Sequence, residues 1–405
     1  MSSKVVIIGS AFSGNKGAAA MLESSVQTLT ERIPDVSFTL FSMYPREDTR
    51  QNPYKNLAVV DAKPIQLGIV INSLALLYLL LPPLRKFIAK KSPAIKALRE
   101  ADVLLDQGGI TFVDGREKFL LYNVATILPA MLVGTPVFKC AQASGPFKNP
   151  INRVCAKIFL PRVHTIISRG SITDGYLRGL GLKNVVAGAD YAFSLNLTDE
   201  QTANAKRAVN DSFFKSKTVI GVSPSVVLQK KAEATGKDYK GIIVSFINSL
   251  IEQGYRVALV PHSARSGEKT HNNDLPLCRE IYKALADKDD VMFIDKELDS
   301  QVLRYVIGRC DYFVASRFHA MVSSLSMKVP TLVIGWSHKY KEVLEMFELD
   351  EWAFGQDKLT DEYLQQRFQD LVDNNKDVRA KLQKNLSKVK EKSAMQADLI
   401  AKIIS

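Results

Sequence analysis

Cysteine is scarce and unpatterned. The four present, Cys140, Cys155, Cys278 and Cys310, lie far apart without CxxC spacing. This argues against a zinc ribbon and against a disulfide framework, and reduced, buried thiols in a cytoplasmic protein are the expectation. Aromatic residues amount to 8% and form no RNP-type run, and no helix-turn-helix pattern is present, so nucleic acid is not an expected partner. The loop Ala11-Phe12-Ser13-Gly14-Asn15-Lys16-Gly17 is neither GxGxxG nor a P-loop. Its Lys16 stands two residues past Gly14, and Gly17 occupies the place of the magnesium-binding Ser or Thr. No signal peptide is expected, since Lys4 leads directly into the strand-like Val5-Val6-Ile7-Ile8-Gly9 without a cleavage site. There is no internal repeat with a period of roughly 20–50 residues. Side chains at metal-ligand spacing are also missing, so no metal is expected.

What is present suits a large α/β protein. The 405 residues are 46% hydrophobic and 24% charged, enough for two α/β domains. A net charge of +12 and a pI near 9.3 favour anionic partners such as phospho-substrates or anionic lipid. Short apolar stretches alternate with helical patterns along the chain, the signature of parallel sheets.

Residues 310–341, CDYFVASRFHAMVSSLSMKVPTLVIGWSHKYK, organise the rest. Asp311 to Ala315 reads as a buried strand, Ser316 as an N-cap, and Met321, Val322 and Leu325 as one helical face. Thr331 to Trp336 reads as the next strand, with another helix behind it. Arg317 and His319 therefore stand where a strand becomes a helix, and Lys339 stands at the following joint. Helix N-termini attract anions, Arg offers a fork for carboxylate or phosphate, and His titrates near neutral pH. A bland alternative is an Arg and a His that merely cap a helix.

Ser316-Arg317-Phe318-His319, Val329-Pro330 and Lys339 together resemble the C-terminal signature of the polysaccharide pyruvyl transferase family. The resemblance implies two Rossmann-like domains facing a cleft, of the GT-B type. It also implies transfer of the pyruvyl group of phosphoenolpyruvate onto sugar hydroxyls of a cell-surface or lipid-linked glycan, with no cofactor. Residues 1–195 would form the acceptor-side domain, 196–217 a helix-bearing linker and 218–358 the donor-side domain. Residues 359–405 would form helices returning to the first domain. Arg317, His319, Lys339, Ser316 and Arg169 are the implied donor-binding residues, with His319 as general acid beside Arg317 and Lys339 as catalytic cations. Asn15, Gly17, Gly108, Gly109 and Asp114 are the implied acceptor-side residues, and His262 and Asp274 are further candidates. Local alternatives stay open. Gly108-Gly109 also reads as a tight turn, Arg169 as a partner of Asp174, His262 as a structural histidine and Asp274 as a helix N-cap. The chain departs from the family pattern at Ala18, where an acid is usual, and at Pro224-Ser225, where an Arg is usual. Lys230 or Lys231 is the nearest sequence substitute for that Arg. The rival readings are a GT-B glycosyltransferase using a nucleotide-sugar, for which Glu342 or Glu345 would reach a ribose, and a non-catalytic scaffold.

Ile65 to Leu81 is an apolar run interrupted by Gln66, Asn72 and Ser73 and ended by Pro82-Pro83. As a helix it would reach about 25 Å, short of a roughly 30 Å hydrocarbon core. Arg85, Lys86, Lys90, Lys91, Lys96 and Arg99 follow with no acid among them. Residues 65–99 are thus expected to touch an anionic membrane peripherally, at the inner face of the cell membrane. The alternative is a helix buried in the first domain or in a homo-oligomer contact.

Overall fold

The computed structural model describes residues 3–265, 272–335 and 337–405; Trp336, the expected end of a strand, lies outside them. The chain divides into two compact units. The first comprises Met1–Ser13, Met21–Leu195 and Lys390–Ser405, and the second Gly14–Ala20 and Asn196–Val389.

The first unit holds an all-parallel sheet of β1 (Lys4–Ile8), β2 (Ser37–Ser42), β3 (Leu57–Asp61), β4 (Val103–Asp106), β5 (Ile110–Val113), β6 (Val137–Gly145), β7 (Thr165–Ser168) and β8 (Val185–Ala187). Their order is β3-β2-β1-β4-β6-β7-β8, with β5 paired to the end of β6. Val5 to Ile8 are all buried, as expected when helices cover both faces of a parallel sheet. Between β5 and β6 lie two short helices, Leu120–Ala125 and Leu128–Val133. Pro129 cannot continue the first helix but suits the first turn of the second.

The second unit repeats the plan with β9 (Val219–Ser223), β10 (Arg256–Leu259), β11 (Val291–Phe293), β12 (Tyr312–Ala315), β13 (Thr331–Gly335) and β14 (Ala353–Gly355). Their order is β11-β10-β9-β12-β13-β14, again all parallel. The strand order reverses beside β1 in the first sheet and beside β9 in the second. Outside the carboxyl ends of strands at such a switch point lies the crevice where open α/β sheets bind ligands. The stretch read as a linker carries the helix Asp199–Ala208, closed by a Thr198/Gln201 capping box, and groups with the second unit.

The C-terminal segment divides. The helix Asp361–Asp373 and the start of the helix Asn375–Ile404 belong to the second unit, where Leu382, Leu386 and Val389 are buried as one stripe. Only Lys390–Ser405 joins the first unit. There the buried Gln396 accepts from the Ala141 N–H at 2.9 Å and donates to the Ala189 carbonyl at 2.9 Å. All four cysteines are unpaired thiols, and burial pushes Cys140, Cys278 and Cys310 well above the usual range.

Two ion pairs are buried inside the first unit. Lys139 meets Asp106, and Arg169 meets Asp190 at 3.2 Å. The partner of Arg169 is thus Asp190. Asp174 instead pairs with Arg178 at 2.7 Å and accepts from Ser168 Oγ at 2.9 Å. Removing one member of a buried pair strands a charge in a poorly solvated site. Arg169→Ala is therefore expected to cost about 3–5 kcal/mol in urea denaturation, whereas Arg178→Ala, at the surface, leaves the midpoint unchanged.

Candidate functional site

The site grows out of the end of β12. After Ala315 the chain turns, and the Ser316 N–H donates to the Ser223 carbonyl at 3.0 Å, extending the β9–β12 pairing by one rung. Ser316 is buried and its hydroxyl accepts from the Tyr239 OH at 2.9 Å. It is not the N-cap: that position is Arg317, and the helix is Phe318–Ser326. The second turn, after β9, holds the other half of the switch point. Its Ser225 caps the helix Val226–Glu233, accepting from the Leu228 N–H at 3.4 Å.

Asp274 joins these elements. Its carboxylate accepts Arg317 Nε at 2.7 Å and a second bond from Arg317 Nη2. It also accepts the Val226 N–H at 3.0 Å and the Ser263 N–H at 3.1 Å. Asp274 stands at the N-cap position of the helix Leu275–Ala284 but gives that helix no side-chain cap, because all of this bonding is directed elsewhere. Burial is the largest single influence on Arg317 and pulls its pKa down. The Asp274 charge and hydrogen bond, with Tyr340 and Tyr239, outweigh it and leave the guanidinium held above its ordinary value.

His262 lies at the end of β10 and is buried. Burial first, and then the positive charges of His319, Arg317, Arg304 and Lys16, hold it well below the usual histidine range. Those four groups therefore act on one place. Lys16 is buried and pairs with Glu297 at 2.8 Å, and Glu297 also accepts the Gly14 N–H at 3.2 Å. A carboxylate thus reaches the loop whose own sequence has Ala18 in place of an acid. Gly17 belongs with this unit and lies flat against His319: a Cβ built on Gly17 would sit 2.0 Å from Cγ and Nδ1 of the imidazole. Any side chain here would push His319 away. Asn15 Oδ1 accepts the Gly17 N–H at 3.1 Å and opens the helix Lys16–Arg32, and Asn15 bridges Ser263 in antiparallel fashion. Asn15 and Gly17, expected on the acceptor side, therefore stand beside the candidate donor residues.

Lys339 reaches the same joint from the next helix, His338–Glu345. Its Nζ lies 4.9 Å from the centre of the Phe318 ring, and Phe318 packs edge-on to His319 at 4.9 Å. Arg317, His319 and Lys339 are brought together with His262 and Asp274. Lys230 and Lys231 are not: both sit exposed in the last turn of the helix Val226–Glu233. Two further buried cations of the second unit are Lys16 and Arg304, neither of which the sequence reading selected. Arg304 left a trace, since it interrupts the apolar Val302-Leu303 and Tyr305-Val306-Ile307 of the helix Ser300–Gly308, and a fully buried Arg is rare without a purpose. Glu342, one of the acids considered for a ribose, is buried in its helix.

The remaining candidates lie in the first unit. Asp106 Oδ1 accepts the Gly108 N–H at 2.9 Å, fixing the turn after β4. Gly9, with φ at +85°, approaches so closely that a Cβ would lie 2.6 Å from the Gly108 nitrogen. Gly9 is thus a packing requirement; a Cβ on Gly108 would itself lie 2.9 Å from Thr111 Cγ2, while one on Gly109 would meet open space. The Asp114 carboxylate is occupied by the Lys148 N–H at 2.6 Å, the Asn149 N–H at 3.1 Å and Asn152 Nδ2 at 2.7 Å. It organises the loop after β6. Arg169 is buried on Asp190.

Two parallel Rossmann-like sheets, the second with cations gathered at its switch point, define an α/β protein of the GT-B type. Solved structures agree on the fold. A UDP-GlcNAc 2-epimerase from Neisseria meningitidis bound to UDP-GlcNAc matches with a TM-score of 0.62, at 13% identity over 99% of both chains. Medicago truncatula UGT71G1 complexed with UDP-glucose matches at 0.56, with 15% identity over 100% of this chain and 98% of that one. The model of the polysaccharide pyruvyl transferase family matches residues 15–338, and the chain belongs to that family. It is similar to the amylovoran biosynthesis protein AmsJ of Erwinia amylovora, with 22% identity over 396 residues and 93% of each chain covered.

Two outcomes test this arrangement. Arg317→Ala should destabilise the protein by about 3–5 kcal/mol by leaving the Asp274 carboxylate buried without its cation, and Arg317→Ala/Asp274→Ala should recover part of the loss in urea denaturation. His262 takes up a proton near pH 6.5 when unfolded but resists it when folded, so the unfolded state binds more protons below that pH and stability falls on acidification. The thermal midpoint of the parent should therefore drop more steeply from pH 7 to 5 than that of His262→Gln.

Proposed function

We propose that the protein transfers the pyruvyl group of phosphoenolpyruvate to two hydroxyls of a sugar in a polysaccharide or lipid-linked glycan, forming a ketal. The observation that carries this reading is the gathering of Arg317, His319 and Lys339 at the start of the helix Phe318–Ser326, with the buried Lys16 and Arg304 near enough to bear on His262 beside them. Phosphoenolpyruvate presents a carboxylate and a phosphate, and such a pocket needs several cations. Asp274 and Glu297 orient Arg317 and Lys16.

In the reaction, one sugar hydroxyl adds to the enol carbon and gives up its proton while the methylene carbon takes one from His319. The bond from that carbon to the bridging oxygen breaks and inorganic phosphate leaves, and the second hydroxyl adds to the same carbon as its proton passes to the phosphate. His319 is the general acid for the methylene, held in place by Gly17 on one side and Phe318 on the other. Arg317, Lys339, Lys16 and Arg304 stabilise charge on the departing phosphate. The Ser316 backbone sets the turn that aims these groups. Gly108 and Gly109, with Asp114 shaping the neighbouring loop, belong to the acceptor side. The scheme calls for no cofactor beyond the donor. Family membership and the amylovoran-related homologue support a polysaccharide as the acceptor.

A nucleotide-sugar donor is the second reading. It is favoured by UDP-sugar ligands in similar folds and by a cavity of about 370 Å³ at the ends of β13 and β14, lined in part by Gly335, Tyr340, Gly355 and Asp357. Thermal denaturation separates the two. Phosphoenolpyruvate at a hundred times its Kd should add about 2.7 kcal/mol, with UDP-sugars inert; the reverse result overturns the proposal, and no response to either favours a non-catalytic scaffold. His319→Ala should keep the stabilisation by phosphoenolpyruvate and lose roughly 10²- to 10⁴-fold in phosphate release.

A further inference from the structure

The apolar run 65–81 forms neither a buried helix nor a span. Among the described residues no single helix is long and apolar enough to cross a membrane, and Gln66–Leu80 is bent by 120° against Pro82–Lys91. The run starts as a π-helical turn, Gln66–Ile71, and continues as the α-helix Asn72–Leu80. Asn72 Nδ2 holds the junction, donating to the Leu67 carbonyl at 2.8 Å and to the Ala125 carbonyl of the helix Leu120–Ala125 at 3.2 Å. Arg85 fixes the bend. Its Nε donates to the Tyr78 carbonyl at 2.9 Å, and its guanidinium lies 5.2 Å from the Tyr78 ring centre.

Only a narrow stripe of this hairpin, Leu67, Ile71, Ala75, Ile88 and Ala89, is buried. It enters the same core cluster as Leu120 from the helix Leu120–Ala125 and Ala156 from the helix Pro150–Phe159. These helices therefore turn their inner stripes to one core and their outer stripes away from it. The outer stripes are also apolar. Ile65 is 73% exposed, Phe87 60%, Leu121 85% and Ile151 66%, and Leu80, Leu84, Val154 and Ile158 are exposed with them. Single exposed apolar residues are ordinary, but so many large ones on adjoining helices are not.

The charges on these elements have one sign. Lys86, Lys90, Lys91, Lys118, Arg153 and Lys157 are exposed, and Glu117 is the one acid within 65–91, 116–121 and 150–159. We propose that these three stretches form a single face that docks on an anionic lipid bilayer, with the apolar stripes entering the interface and the lysines and arginines resting on lipid phosphates. Residues 93–99 fall outside it. Lys96 lines a separate groove with Lys4 and Lys55, and Arg99 lies 3.3 Å from Glu100. The inference is independent of the donor substrate and needs no activity to test.

Flotation of the full-length protein at low salt decides it, with vesicles of phosphatidylcholine plus phosphatidylglycerol against vesicles of phosphatidylcholine alone. The parent should float with the anionic vesicles only. Leu121→Asp and Ile151→Asp, both outside the apolar run, should each return most of the protein to the soluble fraction without changing the urea midpoint. Leu121→Asn and Ile151→Asn serve if the charged variants unfold. Lys86→Gln/Lys90→Gln/Lys91→Gln should weaken partitioning on the order of a hundredfold. The proposal is overturned if the parent stays soluble with anionic vesicles, or if the folded variants at 121 and 151 float like the parent. It is equally overturned if the parent is a dimer without lipid and Leu121→Asp makes it monomeric, since the face is then a contact between copies.

Discussion

The second unit depends on one carboxylate. Asp274 takes both arms of its bonding from Arg317 at the end of β12, from Val226 after β9 and from Ser263 after β10. Three neighbouring strands thus have their carboxyl ends tied to one buried charge. A buried carboxylate is tolerable only when ionic and hydrogen-bonding partners replace water, and here the replacement fixes the geometry of the switch point. Arg317 is for this reason a structural cation as well as a candidate ligand group, and its fork has a single orientation to offer an anion.

Around that pair further cations are buried. Lys16 and Arg304 are buried in the same region, and their field, with that of Arg317 and His319, reaches His262. Gly17 adds a steric condition, because His319 occupies the volume that any side chain at position 17 would need. The loop after β1 is therefore specified by what packs on it rather than by a phosphate-binding motif of its own.

The first unit resolves its buried charges differently. Asp106 and Lys139, and Arg169 and Asp190, are paired inside the protein, and Asp114 is spent on the loop that follows β6. On the helices Arg85–Lys91 and Pro150–Phe159, exposed lysines and an arginine border exposed apolar residues.

The sequence by itself determined the alternation of strands and helices, the two-sheet α/β class and the family. These rest on local patterns: apolar runs of strand length, helical spacing of apolar residues and a contiguous signature at Ser316 to His319. It also placed Arg317, His319 and Lys339 at strand-to-helix joints, since that position is set by the residues on either side. The tertiary structure alone decided who faces whom. Arg169 chose Asp190 over the nearer Asp174, and Ser316 gave its hydroxyl to Tyr239 instead of capping a helix. Lys16 and Arg304 were drawn into the site while Lys230 and Lys231 were left at the surface. Pairings of this kind join residues tens to hundreds of positions apart, and they follow from sheet order and helix packing, which no local pattern encodes.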